Sequence, residues 1–194
     1  MSDRDFAPPE SLPDLLRPHL DVVFVGINPS IYSVQQGHYF ARRTNRFWPA
    51  FSRSLLSLAA RRALGVEALS PEHDQLLPDH GFGFTDAVKR ASARATDIAP
   101  AEFAEGIASL VAKLEAFAPR IACFHGIMAY RPLYRTLMAT KDEPRLGLQD
   151  LSIGQTRLFL APNPSPANAH FTPADQTHAY DELAAWLEGN MPDI

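Results

Sequence analysis

A second cysteine is missing from this chain. Cys123 stands alone in the apolar run Ile121-Ala122-Cys123-Phe124, so neither an internal disulfide nor a thiolate cluster for zinc or iron–sulfur can be assembled. A lone thiol in such a run is expected as a small buried strand residue in a reducing compartment. Long apolar stretches are missing as well, since none reaches the roughly 18 residues of a membrane span. The stretch Met1-Ser2-Asp3-Arg4-Asp5-Phe6-Ala7-Pro8-Pro9 has neither the basic start nor the apolar segment of a signal peptide. A soluble, cytoplasmic protein with no membrane partner is the expectation, nucleoid-associated if the source is bacterial. There is no phosphate loop, because Gly26 is not followed by Gly-x-x-Gly or Gly-Lys-Ser/Thr. His38, His125 and His170 are not spaced as a helical metal site, so they are read as structural or DNA-contacting, and no metal or cofactor is expected.

Acidic residues are scarce in one place. The net charge is −4, yet between Asp21 and Glu67 there is no Asp or Glu, while Arg42, Arg43, Arg46, Arg53, Arg61 and Arg62 all fall there. A second basic stretch runs from Lys89 to Arg94. Arg53, Arg61 and Arg62 sit at helical positions and read equally well as a solvated face. Arg42 and Arg43 differ because they lie in a loop punctuated by glycine and asparagine.

What is present alternates. Residues 1–20 are proline-rich and read as a lead-in with a short helix at Leu12–Leu16, followed by one domain over 21–190. Val22-Val23-Phe24-Val25-Gly26-Ile27 is a short apolar run of the kind buried on both faces of a sheet. Phe47, Phe51, Leu55 and Leu58 recur at helical spacing, with Asn45 as cap and Gly65 as stop. A weaker strand follows at Gly81–Thr85, then a helix carrying Phe103, Ile107, Leu110, Leu114 and Phe117, a strand at Ile121–Phe124, a helix over Met128–Met138 and a strand at Leu158–Ala161. The last helix has Thr172 as cap, Pro173 in its first turn and Asp175 three residues on, and it ends at Gly189. Tyr130, Tyr134, Trp48 and Trp186 read as packing aromatics. Short buried strands alternating with amphipathic helices predict an α/β fold: three layers, α/β/α, around a short central parallel sheet, with ligands beyond the carboxyl ends of the strands.

Two of those ends carry the same turn. The first strand runs into Gly26-Ile27-Asn28-Pro29-Ser30, and the last into Asn163-Pro164-Ser165-Pro166-Ala167-Asn168. Alone, Asn-Pro-Ser is a turn signal; together, the two would face one crevice. With Gly37-His38-Tyr39-Phe40-Ala41 and Asn45-Arg46-Phe47-Trp48-Pro49, the first motif resembles that of the mismatch-specific uracil/thymine DNA glycosylase family, and Asn163-Pro164-Ser165 resembles the second. The resemblance runs over residues 20–190 and implies a monofunctional enzyme of base excision repair. Such an enzyme flips uracil or a related pyrimidine out of a G:U mismatch or other damaged double-stranded DNA, hydrolyses its N-glycosidic bond, needs no cofactor and works as a monomer.

The resemblance also implies roles. Asn28 matches the residue that positions the hydrolytic water; Gly26, Ile27 and Phe40 match the lining and stacking residues for the flipped base. Asn163, Pro164 and Ser165 match the loop gripping the backbone, and Pro166, Ala167 and Asn168 the wedge that fills the vacated stack. Ser30, Arg42 and Arg43 are expected to contact phosphates. Three departures stand out: Ser30 replaces a glycine, the wedge lacks a large Leu or Arg, and Asp86 replaces a neutral or basic residue. A carboxylate at Asp86 could accept the water's proton or stabilise a cationic sugar; equally, it could cap the segment from Ala87 or pair with Lys89 or Arg90. A non-catalytic uracil- or abasic-site-binding module and a small-molecule nucleotide hydrolase remain alternatives at this stage.

Overall fold

The structure, a computed structural model, describes residues 11–168 and 170–190; the first ten residues of the expected lead-in lie outside it. Strand β1 (Val22–Gly26) is buried along its whole length. Its β-branched and aromatic side chains alternate between two faces, Val22 and Phe24 entering one apolar cluster and Val23 and Val25 the other. Parallel partners flank it, β2 (Phe82–Asp86) on one side and β3 (Ile121–His125) on the other. β5 (Thr156–Ala161) continues the parallel array beside β3.

The expected central parallel sheet is present, and it carries one antiparallel edge strand that the sequence reading did not include. β4 (Gly147–Ile153) pairs antiparallel with β5, giving the order β2-β1-β3-β5-β4. Its alternating exposure marks it as a strand with one wet face, and Gly154 at φ 54 closes the two-residue turn Gly154-Gln155.

Helices cover both faces. On one, α2 (Phe47–Arg53) and α6 (Pro173–Gly189) pack Phe47, Phe51 and Tyr180 around Phe24, with Phe47 edge-on to Phe24 at 5.0 Å between ring centroids. On the other, α4 (Pro100–Phe117) and α5 (Ile127–Met138) set Leu110, Leu114, Tyr130 and Leu133 against Val23, Val25 and Phe124. The single helix expected between Asn45 and Gly65 is broken at Ser54, whose extended backbone (ψ 157) separates α2 from a 3-10 turn at Leu55–Ser57 and from α3 (Leu58–Leu64). Asp181 accepts from the Leu55 amide at 2.7 Å, satisfying the restart from outside the segment.

Leu12–Leu16 forms no helix, which corrects a second expectation. Pro13 disfavours the helical region for Leu12, and Leu15 bridges antiparallel to Phe84 through paired hydrogen bonds of 2.9 and 3.0 Å. The segment thereby covers the outer edge of β2. No described helix is long and apolar enough to cross a membrane.

Candidate active site

Strand order reverses direction at β1, because the next strand in sequence lies to one side of it and the third to the other. The carboxyl ends of β1, β2, β3 and β5 converge there on a cavity of about 390 Å³. Its lining includes Gly26, Ile27, Asn28, Ser30, Phe40, Arg42, Asp86, Asn163, Pro164, Ser165, Pro166 and Ala167 from the residues singled out in the sequence. Arg43 lines a neighbouring groove and Asn168 lies outside the lining.

Asp86 is poorly accommodated in the cavity. It ends β2 in register with Gly26 of β1, is 5% exposed, and its Oδ2 is buried without any hydrogen-bond partner among the described residues. Burial pushes its carboxyl up to about 7, with the charge of Asp14 adding to the rise and those of Lys89 and Lys113 opposing it. The alternative structural roles fail on geometry. Lys89 donates instead to Asp14 (2.8 Å) and Tyr39 Oη (3.2 Å), Arg90 pairs with Glu102, and the Ala87 amide donates to the Gly26 carbonyl at 2.9 Å. Among the described residues, Asp86 is therefore neither a cap nor half of an ion pair.

Gly26 owes its identity to this carboxylate. A Cβ there would collide with Asp86 Oδ1, which lies across the bare Cα. Asn28, two residues on, has its side-chain amide nitrogen committed: it donates to the carbonyls of Pro29 (3.2 Å) and Arg90 (3.0 Å) and to Ser92 Oγ (2.9 Å). Its Oδ1 is left as the acceptor available to a molecule in the cavity.

Phe40 stands on a strained backbone at φ 52, unusual for a bulky side chain. Its neighbours hold it there. Tyr39 donates its amide to Asp74 Oδ2 at 2.8 Å and accepts Trp48 Nε1 at 2.9 Å on its carbonyl, while the Ala41 amide reaches Ser33 Oγ at 3.3 Å. The ring stacks on Phe47 with centroids 4.3 Å apart and 19° between planes. His125 packs edge-on to Phe40 at 5.3 Å; burial lowers its ring to about 3, so it lines the cavity uncharged, with Nε2 2.8 Å from Tyr180 Oη. The sequence reading of His125 as structural or DNA-contacting did not place it in the cavity wall, where its position at the end of β3 puts it.

The basic residues divide by partner. Arg42 is exposed and lies over the Tyr32 ring at 5.6 Å, and Arg43 is exposed beside it. Arg90 and Arg94 pair with Glu102 and Asp97, so the second basic stretch is largely neutralised within the chain. Ser30 uses its hydroxyl to accept from the Ser33 amide at 3.1 Å, capping α1 (Ile31–Gln36). Asn163 caps its own turn, accepting from the Ser165 amide at 2.9 Å, and approaches Gly126 so closely that a Cβ there would lie 2.7 Å from its own. His38 pairs with Asp74 at 3.0 Å, and His170 is exposed. No cluster of three or more His, Cys, Asp or Glu able to hold a metal occurs among the described residues.

Comparison with known proteins agrees with this fold. The family model of the Uracil DNA glycosylase superfamily matches residues 13–184. The solution NMR structure of a Methanosarcina acetivorans protein assigned as a uracil DNA glycosylase is similar with a TM-score of 0.53, covering 90% of this chain and 98% of that one at 19% identity. At that identity the likeness concerns the fold.

Proposed function

The chain belongs to the uracil DNA glycosylase superfamily of DNA repair hydrolases, and on that premise we propose that it is a monofunctional, mismatch-directed uracil-DNA glycosylase that uses Asp86 together with Asn28. It would act as a cytoplasmic monomer on double-stranded DNA bearing uracil or a related damaged pyrimidine. The observation that carries the proposal is a buried carboxylate at the end of β2, without a hydrogen-bond partner on Oδ2 among the described residues, in one cavity with Asn28 from the loop after β1 and a stacking ring at Phe40.

Cleavage of the glycosidic bond leaves positive charge on the sugar and negative charge on the departing base. An extruded pyrimidine would stack on Phe40, whose ring is already set by Phe47. Asn28 Oδ1 orients the attacking water but cannot take its proton near neutral pH. Ionised Asp86 can: the water oxygen bonds to the anomeric carbon, the bond to the base breaks with its electron pair leaving on the base, and the water's proton passes to the carboxylate. Before that transfer, the same negative charge stabilises the developing sugar cation. Arg42, Arg43 and the Asn163–Ser165 turn face the duplex backbone, where contacts position the substrate without reading sequence. Mispaired uracil would be favoured because a weak pair costs less to open.

The test is incubation with duplexes holding a single uracil opposite G or A, with a single-stranded control and free nucleotides, scored as alkali-labile abasic sites. Cleavage confined to DNA and strongest opposite G supports the proposal. Lesion binding without turnover would favour a damage-binding module, and release from free nucleotides a small-molecule hydrolase.

A further inference from the structure

Arg46 sits in the basic stretch that invites a phosphate-binding role, yet it is spent inside the protein. Its Nη2 donates to the carbonyls of Ser165 (2.7 Å) and Asn168 (2.5 Å), its Nη1 to that of Phe171, and its backbone amide to that of Pro164 at 3.0 Å; a longer contact of 3.5 Å joins Nε to the same Pro164 carbonyl. It has no carboxylate partner among the described residues. A planar fork of five N–H donors suits this task as an ammonium does not, because the carbonyls lie in different directions around it.

The anchor of that fork matters equally. Arg46 directly precedes α2, and the next residue, Phe47, is fully buried and stacks on Phe40. The 163–168 loop is thus tied, through one side chain and one amide, to the element that sets the stacking ring. We propose that Arg46 is a positioning residue that pre-forms the 163–168 loop for insertion beside an extruded nucleotide, without touching DNA. This rests on the glycosylase reading of the site. It also accounts for the small wedge: Pro166 and Ala167 bury little surface on insertion, so the loop cannot rely on a large side chain to draw it into order and gains from being ordered beforehand.

The experiment compares Arg46→Lys and Arg46→Met with the parent chain in three readouts: amide hydrogen exchange, affinity for duplexes with and without a tetrahydrofuran abasic analogue, and single-turnover uracil release. Exchange should quicken at 163–168 in both variants. Affinity for the abasic-analogue duplex should fall about tenfold or more, the equivalent of re-ordering even one loop residue, while affinity for undamaged duplex and its salt dependence stay put. Lysine should not rescue. If instead Arg46→Met flattens the log–log salt slope by about 1 and Arg46→Lys restores it, Arg46 is a phosphate contact and the proposal is wrong. Unchanged exchange at 163–168 overturns it equally. Should Arg46→Met fail to fold, Arg46→Lys carries the test alone. A parent that releases no uracil defeats the glycosylase reading, and loop exchange still decides whether Arg46 orders the loop.

Discussion

Replacing Asp86 with Asn should make the protein more stable and less active, and the two effects should share one pH dependence. In the folded chain the carboxyl is raised to about 7 from an ordinary 3.8, chiefly by burial. The folded state therefore holds its proton more tightly than the unfolded chain does. Stability associated with this group is fully present below about pH 4, drains away as pH rises, and is exhausted by about pH 7. The full difference corresponds to roughly 4 kcal/mol, part of which the variant forgoes because its new amide N–H groups also need partners. Each kcal/mol is worth about 2–4 °C in a protein of this size. Asp86→Asn should accordingly melt several degrees above the parent near pH 8 and level with it near pH 4. Single-turnover uracil release should fall by about 10²–10⁴-fold at high pH, and the acidic limb expected of the parent near pH 7 should be absent from the variant. Thermal melts from about pH 4 to pH 8 and single-turnover rates from about pH 5 to pH 9 measure both. A melting difference that does not vary with pH, or parental cleavage by Asp86→Asn, would refute the reasoning.

Gly26→Ala forces a methyl group into the space of Asp86 Oδ1 and should cost about 1–3 kcal/mol of stability. It should also cut uracil release sharply in the parent yet add little to Asp86→Asn, a non-additivity that a double-mutant cycle on single-turnover rates reads directly. Replacing Arg42 and Arg43 with Ala should weaken binding to any duplex and reduce the log–log salt slope by about 0.9 per lost phosphate contact, measured by titration between low and moderate salt. Across a series of substituted uracils of different acidity, Asp86→Asn should show a steeper dependence of cleavage rate on leaving-base acidity than the parent; parallel lines would exclude an electrostatic role for the carboxylate.

The layers and the site's location were legible because apolar periodicity and turn chemistry report local demands. Val22–Gly26 could only be a buried strand, and the two Asn-Pro-Ser turns marked the strand ends that meet at the cavity. β4 was missed because its half-wet alternation is faint in residues such as Gln149, Asp150 and Ser152, although Gly154-Gln155 between the β-branched Ile153 and Thr156 was a readable hairpin cue. The break at Ser54 depends on Asp181, more than a hundred residues away, and nothing local announces it. Arg46 shows the same limit more sharply. The sequence placed it in the basic stretch without assigning it a partner, and its partners are carbonyls brought to it by tertiary structure. Gly26 could be marked as a strand-end glycine, but only packing reveals that its missing Cβ makes room for a carboxylate.

The burial that holds Asp86 near neutrality also decides when its charge counts. Within the protein, ionisation is opposed by lost hydration, and no described hydrogen bond to Oδ2 compensates it. A stacked base would deepen that opposition by excluding water, and the phosphates beside it would add like charge. Neither helps the ground state. On the proposed mechanism, positive charge grows on the sugar within the same low-dielectric space once the glycosidic bond stretches, and the carboxylate would find there the partner that the folded protein withholds. Its stabilisation is then larger in the transition state than before it, which is the condition for raising the rate of the chemical step and not merely tightening binding. An amide such as Asn28 offers no comparable response, since its dipole has the same magnitude at both points. A site relying on Asn28 alone must leave more of the work to the departing base, whereas a site holding Asp86 shifts that work to the sugar and can release bases that carry negative charge less well.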